Sequence, residues 1–368
     1  VDALHGWGRA ARAVADCSGV VPILAVVTGP VVSGPSLLLG LSDLVVMTPE
    51  AQAFVSGPAM VASFTGVRVT REQLGGVGVH ASASGLCALE SDDPDGAVAE
   101  LLSYLPDHVD DLPPRVTTAD PVDRTSTELR SLVPERDRAS YDVRDVVEAV
   151  MDEGEWCELW PRWAPQLVTG LARLGGEPVG VVANQPRALA GTLDILASQK
   201  AARFVQLCDG FNLPLITLVD TPGFLPGKDL EWRGMIRHGA EMVAAYAGAS
   251  VPRICVILRK AFGGAYIVMD SRGMGNDVCL AWPGAEVAVM GAPGAVALLH
   301  RRAGPDERAR AEAHYRRDLL TPWPAAERGL VDEVIDPAHT RPALARVLAL
   351  LTSKSDRLVG RKHANGPL

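Results

Sequence analysis

A chain of 368 residues exceeds what one typical hydrophobic core organises and suits two domains. Its 48% hydrophobic and 21% charged residues are ordinary for a globular protein, and its net charge of −9 excludes the basic face of a nucleic-acid binder. A phosphorylated ligand is not excluded, because a few local cations or a helix N-terminus can hold one.

The six cysteines form no C-x-x-C pair, which speaks against a zinc site or a disulfide framework and suits a reducing cytoplasm. No metal is expected. The longest apolar run, residues 20–27, is far too short to cross a bilayer, and no signal peptide is visible. The chain opens without Met on a helix-like segment, so a preceding N-terminal segment is expected.

In chain order, residues 8–17 read as a helix and 23–27 as a buried strand, followed by a turn at Ser33-Gly34. His80 falls in a Ser/Ala-rich stretch, residues 79–85, that reads as a loop. Residues 101–138, rich in Pro, Asp, Arg, Ser and Thr, bury little apolar surface and read as a connection. The expected division is a first domain over 1–105, a connection over 106–140 and a second domain over 141–368.

Glu148, Asp152, Glu153 and Glu155 read as a solvated helix face. Residues 167–173 and 179–183 read as strands joined by a tight turn at Gly175-Gly176, then 200–208 as a helix and 215–219 as a buried strand. Asp220-Thr221-Pro222-Gly223 invites a GTPase reading, but the chain holds no Gly-rich loop ending in Gly-Lys-Ser/Thr. A structural strand-end turn is the better account. A helix over 239–247, headed by Arg237 and His238, leads to a strand over 254–258 and to Gly263-Gly264.

These segments repeat. Pro22 stands 12 residues before Gly34, and Pro252 stands 12 before Gly264. A second pattern, P-x-A-x-x-x-V-x-G, follows each turn: Pro49, Ala51, Val55, Gly57 and again Pro283, Ala285, Val289, Gly291. One four-residue insertion in the second half reconciles the two copies, which points to duplication. Each copy reads helix, strand, glycine turn, helix, strand, an α/β pattern with right-handed crossovers.

The glycine turns are the candidate chemistry. After Arg259-Lys260-Ala261-Phe262, Gly263-Gly264-Ala265 lets the backbone bend sharply, and the first amides of the next helix lack intrahelical partners. Such amides can stabilise an oxyanion, each by about 2.7–4 kcal/mol. One Gly-Gly alone is more often a close-packed strand-to-helix turn. Two related turns suit a reaction with two carbonyl oxygens to stabilise. A lone His238 or His80 is more often structural than a base, and no spacing suggests Ser-His-Asp or Cys-His.

Several runs then resemble a family. Asp220-Thr221-Pro222-Gly223-Phe224-Leu225-Pro226-Gly227 is similar to its D-x-P-G-F-L-P-G, and Ile236-Arg237-His238-Gly239-Ala240 to its I-R-H-G-A. Residues 259–266 resemble R-K-x-Y-G-G-A-Y, with Phe262 for Tyr. Ala281-Trp282-Pro283, Ala288-Val289-Met290-Gly291 and the tail Lys362-His363-Ala364-Asn365 with Pro367-Leu368 agree too. These mark the carboxyltransferase (beta) subunits of biotin-dependent acyl-CoA carboxylases.

The resemblance implies two crotonase-like domains, assembled as hexamers of two stacked trimers, with each active site shared between subunits. It implies biotin on a separate biotin carboxylase/carrier (alpha) subunit, delivering carboxylate to the α-carbon of an acetyl-, propionyl- or related acyl-CoA. Biotin's own nitrogen takes the α-proton in such enzymes. By position, Gly263, Gly264 and Ala265 correspond to the biotin-side oxyanion hole and Ser33 and Gly34 to the acyl-CoA side. Ile267 stands where chain-length preference varies in the family.

The first half departs from its pattern. The usual G-P-x-A-G-G-A is here Gly29-Pro30-Val31-Val32-Ser33-Gly34-Pro35, and the usual G-P-D is Gly57-Pro58-Ala59. A weakly active subunit assembling with a paralogous beta chain therefore stays open. A biotin-independent crotonase-type hydratase, hydrolase or decarboxylase also stays open, although hydratases need carboxylates near the turn and none closely follows Gly34 or Gly264.

Overall fold

The computed structural model describes residues 2–134, 139–356, 360 and 366–367. The tail motif at Lys362-His363-Ala364-Asn365 and Leu368 lies outside the described residues. The chain forms two compact units. One comprises Val1–Pro114 with Cys157–Ala164 and Gly210–Leu213; the other comprises Arg115–Trp156, Pro165–Asp209 and Pro214–Leu368. The residues of the connecting stretch pack with the first unit up to Pro114 and with the second from Arg115.

The first unit opens on a helix, Asp2–Cys17, and a strand β1, Leu24–Val27. β2 (Pro30–Val32) leads into a 3-10 helix, Gly34–Leu41. β3 (Leu44–Met47), an unbroken apolar run, is buried throughout and lies between β1 and β5 (Leu89–Glu90) in a parallel sheet. β4 (Gln52–Phe54) pairs in parallel with β2, bringing Val32 opposite Phe54. Gly57 then caps a helix, Pro58–Thr65, with proline at its tolerated first position. Residues 79–85 are not the expected loop: a helical turn, Val77–Val79, runs into a π-turn, His80–Ser84, that ends at left-handed Gly85. Trp163 fills the space beside Gly85, so no Cβ fits there.

The second unit contains the helix Val143–Val150, while the strand β6, Trp156–Leu159, falls within the first unit from Cys157 on. β7 (Leu167–Leu174) and β8 (Glu177–Asn184) form the expected hairpin. Both turn residues have positive φ, 63° at Gly175 and 80° at Gly176, the geometry that matches strand twist. The helix Ile195–Gly210 follows, then β9 (Leu215–Thr221), the helix Met235–Gly248 and β10 (Arg253–Phe262). The helix Gly263–Val268, β11 (Val278–Ala281), β12 (Glu286–Ala288) and β13 (Glu333–Val334) complete the sheet.

The sheet order is β13-β11-β10-β9-β8-β7, parallel apart from the hairpin, with β12 against the end of β10. β9 is buried at all seven residues, as a strand covered on both faces should be.

Asp152 corrects the expectation of a solvated acidic face. Glu148, Glu153 and Glu155 are exposed, but Asp152 is buried and accepts hydrogen bonds from the Gly175 and Gly176 amides at 2.8 and 2.7 Å. It also pairs with Arg341, which is wholly buried, at 2.7 Å. Arg341 donates further to the Val150 and Pro121 carbonyls. This carboxylate locks the hairpin turn to the C-terminal helix Thr340–Leu351, where the arginine resides.

The repeat holds in backbone geometry. β2 and β10 each end at a residue paired in parallel with the next short strand, Val32 with Phe54 and Phe262 with Ala288. Ala51 and Ala285 are both buried, Val55 and Val289 both exposed, and Gly57 and Gly291 both cap helices at φ −70° and −63°.

Candidate functional site

In the second unit, β10 bends at Gly263, with φ 59°, and passes into the helix Gly263–Val268. A Cβ at position 263 would stand 3.0 Å from the Val289 carbonyl, so the bend needs glycine both for its φ and for its space. Helix geometry leaves the Gly264 and Ala265 amides without intrahelical acceptors. Ile267, one turn on, is half exposed.

The helix is seated from beneath. The Tyr266 hydroxyl lies 3.8 Å from the Cys279 sulfur, and the Cys255 sulfur donates to the Met269 carbonyl at 3.9 Å. Burial, with the Cys279 sulfur next, pushes the Tyr266 hydroxyl well above its usual range, and the Cys255 thiol is raised first by its hydrogen bond with Cys279 and then by burial. The Phe224 ring packs 3.6 Å from where a Gly264 Cβ would stand.

Asp220, at the end of β9, is the anchor of the strand that leads into the bend. Its carboxylate accepts from Arg259 Nε at 3.0 Å and from the Lys260 amide at 3.1 Å, while its own amide donates to Asn184 Oδ1. Burial raises the Asp220 carboxyl and the Arg259 charge pulls it back down. Asp220 therefore has a structural task, and the D-T-P-G run contains no phosphate-binding loop.

The first unit carries the corresponding bend at Ser33, with φ 70° and ψ −150°. This region is occupied almost exclusively by glycine, and a serine there is strained. Three details distinguish it from its counterpart. The Ser33 amide is committed, donating to the Phe54 carbonyl at 3.1 Å. The Ser36 amide donates to the Ser33 carbonyl at 3.0 Å. Pro35 has no N–H. Of the expected acyl-CoA-side pair, Ser33 and Gly34, the Ser33 amide is therefore not free to meet an oxyanion. Gly34 keeps the one backbone donor of this turn, where the second turn has two. The Trp7 indole backs Gly34, 3.6 Å from where a Cβ would stand.

A cavity of about 780 Å³ adjoins this bend, lined by Val32 and Phe54 together with Pro30, Pro58, Ala59 and Met60, and by Arg71. No carboxylate lines it. Both histidines considered as bases are bound at both ring nitrogens. His80 contacts the Ala53 carbonyl and Ser84 Oγ at 2.8 Å each. His238 contacts Glu241 at 2.8 Å and Arg237 at 3.1 Å. Among the described residues no group of three His, Cys, Asp or Glu side chains could hold a metal ion, and no helix is long and apolar enough to cross a membrane.

At each strand-end bend the following helix leaves leading amides without intrahelical partners, Gly264 and Ala265 in the second unit and Gly34 in the first. The carboxyl transferase domain family matches residues 1–366. The chain belongs to that family. The methylmalonyl-CoA carboxyltransferase 12S subunit of Propionibacterium freudenreichii subsp. shermanii is 44% identical, over 100% of this chain and 72% of its own. The methylmalonyl-CoA decarboxylase subunit alpha of Veillonella parvula is 43% identical, over 100% of this chain and 73% of its own. The transcarboxylase 12S crystal structure with methylmalonyl-coenzyme A and methylmalonic acid bound, a hexamer, superposes with a TM-score of 0.97 at 44% identity, covering 100% of this chain and 72% of that one. A single-chain, multi-domain long-chain acyl-CoA carboxylase superposes at 0.77 with 32% identity, covering 92% of this chain and 34% of that one. The fold is the crotonase-like α/β fold of these carboxyltransferases.

Proposed function

We propose that this family member is the carboxyltransferase of a biotin-dependent acyl-CoA carboxylase, moving carboxylate between biotin and the α-carbon of an acyl-CoA such as acetyl- or propionyl-CoA. The observation that carries this reading is the repeated bend. Two carbonyl oxygens change charge in such a transfer, and the chain offers backbone donors at each of two bends, Gly264 and Ala265 at one and Gly34 at the other.

The Gly264 and Ala265 amides are assigned to a ureido oxygen, and the Gly34 amide to the thioester oxygen as it becomes an enolate. Gly263 and Ser33 set the bends that aim them. Each donor is worth about 2.7–4 kcal/mol at a developing oxyanion. The residues fit biotin, because the second turn combines two donors with a helix held rigidly from below and no competing side-chain acid or base. When bound, biotin supplies the carboxylate and a ring nitrogen basic enough to take the α-proton. The protein's part is then to position the partners and stabilise charge.

The cavity beside Ser33 is assigned to the acyl group. Its walls are mainly hydrocarbon, with Thr70 the polar uncharged side chain and Arg71, an exposed residue, the charged one. Ile267, half exposed, adds an apolar surface for chain-length preference. The chain is inferred to work in the cytoplasm, without a resident metal, as a hexamer of its own or with a paralogous beta chain. Its biotin comes from a separate carboxylase/carrier subunit. The decarboxylase relatives favour a second reading of direction, in which carboxylate leaves a methylmalonyl-type CoA for biotin. The same turns serve both directions.

The test is transfer of carboxylate from malonyl- or methylmalonyl-CoA to free biotin by the purified full-length protein. Transfer is expected. No transfer from several acyl-CoAs by folded protein would overturn the reading, and acyl-CoA turnover needing no biotin would favour a hydratase or hydrolase.

A further inference from the structure

We propose that the Ser33 hydroxyl is the second hydrogen-bond donor of the acyl-side oxyanion hole, taking the place of the backbone N–H that Pro35 lacks. This rests on the carboxyltransferase reading of the site.

The argument begins with a count of donors. At the second bend, Gly264 and Ala265 each bring an N–H. At the first, the corresponding residues are Gly34 and Pro35, so only Gly34 contributes. The amide of Ser33 itself is spent on Phe54. An enolate oxygen held by one donor lacks what its counterpart in the second unit has.

The hydroxyl is available. A serine in the residue before a helix ordinarily accepts a hydrogen bond from the second or third helical amide. Here the second is Pro35, which has none to give, and the third, Ser36, is bonded to the Ser33 carbonyl. The Ser33 side chain accordingly makes no capping bond and no other hydrogen bond among the described residues. It is exposed, and it stands at the bend between Val32 and Gly34, where Val32 lines the cavity.

Covalent geometry finishes the case. A β-hydroxyl and the N–H of the next residue are joined through the same Cα, so they can reach one acceptor within about 4 Å of each other. A hydroxyl keeps a proton to donate and has no tendency to take the α-proton at neutral pH. Ser33 also persists in a backbone region that glycine would occupy without strain. A side chain with a task at the oxyanion gives that strain a reason.

The experiment uses the full-length protein, free biotin and methylmalonyl-CoA. Ser33→Gly and Ser33→Ala are compared with wild type and with each variant combined with Pro35→Ala, which restores a backbone N–H. Thermal unfolding checks the fold of every variant. Ser33→Gly and Ser33→Ala are expected to lose about 10²-fold in kcat with little change in KM, the cost of one oxyanion donor. Pro35→Ala is expected to return most of that loss in the double variants, which a purely structural serine would not show. Wild-type rates in Ser33→Gly and Ser33→Ala would overturn the inference, as would a failure of Pro35→Ala to rescue a folded double variant. Absence of transfer in every protein, wild type included, would instead remove the carboxyltransferase reading and this inference with it.

Discussion

Ser33 and Gly263 occupy the same bend of the two repeats, with φ of 70° and 59°, yet only one of them is glycine. The positive φ has been kept while the residue that tolerates it has changed. Ser33→Gly should raise stability by about 1–3 kcal/mol, the usual cost of holding a side chain in such a region. Gly263→Ser should lower it by more, because its Cβ would also press on the Val289 carbonyl at 3.0 Å. Chemical denaturation of the two variants checks both signs. Equal effects would mean the two bends are not equivalent.

Asp152 supports a second prediction. Asp152→Ala removes the acceptor of the Gly175 and Gly176 amides and leaves the Arg341 cation buried with less compensation. Breaking one side of a buried pair typically costs about 3–5 kcal/mol. A loss of that order in urea unfolding is expected, with the same cost not seen for Glu153→Ala on the exposed side of the cluster.

The pH dependence of stability should carry a mark of Asp270. Burial pushes its carboxyl up to about 7, with the Arg253 charge at 2.7 Å pulling the other way. The folded state therefore binds a proton more tightly than the unfolded chain does. This group's contribution is fully present below about pH 4 and is lost as pH rises to about 7, at up to about 1.4 kcal/mol per pH unit. Comparing Asp270→Asn with wild type by thermal unfolding between those limits should show a flatter profile in the variant. An identical slope would place the carboxyl's titration elsewhere.

The cavity beside Ser33 gives a prediction on substrate choice. Ala59 is exposed at the start of the helix Pro58–Thr65 and lines that cavity. Ala59→Phe should fill it and discriminate against longer acyl chains, by about fourfold in kcat/KM for each methylene excluded. Competition between acetyl-CoA and longer acyl-CoAs measures the ratio. An unchanged ratio would take the acyl chain out of this cavity.

How much of this was legible beforehand differed between the repeats. The fold could be read because its buried strands carry apolar runs, as in β9 over residues 215–219, and because glycine marks the positive-φ hairpin turn at Gly175-Gly176. The second bend was legible for the same reason at Gly263 and Gly264. Ser33 was suspected as a misfit, but the fate of its amide was not readable, because the Phe54 carbonyl that takes it comes 21 residues later and meets it only through strand pairing. Asp152 was misread because its partners, Gly175 and Arg341, are distant in sequence and its neighbours Glu153 and Glu155 do face solvent. The helical turn at His80 was taken for a loop because Ala and Ser alone carry no periodic signal.

The most direct test of the account is the rate of carboxyl transfer from methylmalonyl-CoA to free biotin in Gly264→Pro. Proline is tolerated in the first turn of a helix, so the fold should survive while one donor is lost. A fall of about 10²–10³-fold in kcat at wild-type thermal stability is predicted. Transfer at the wild-type rate would show that the amide at Gly264 plays no part in the chemistry and would contradict the central claim.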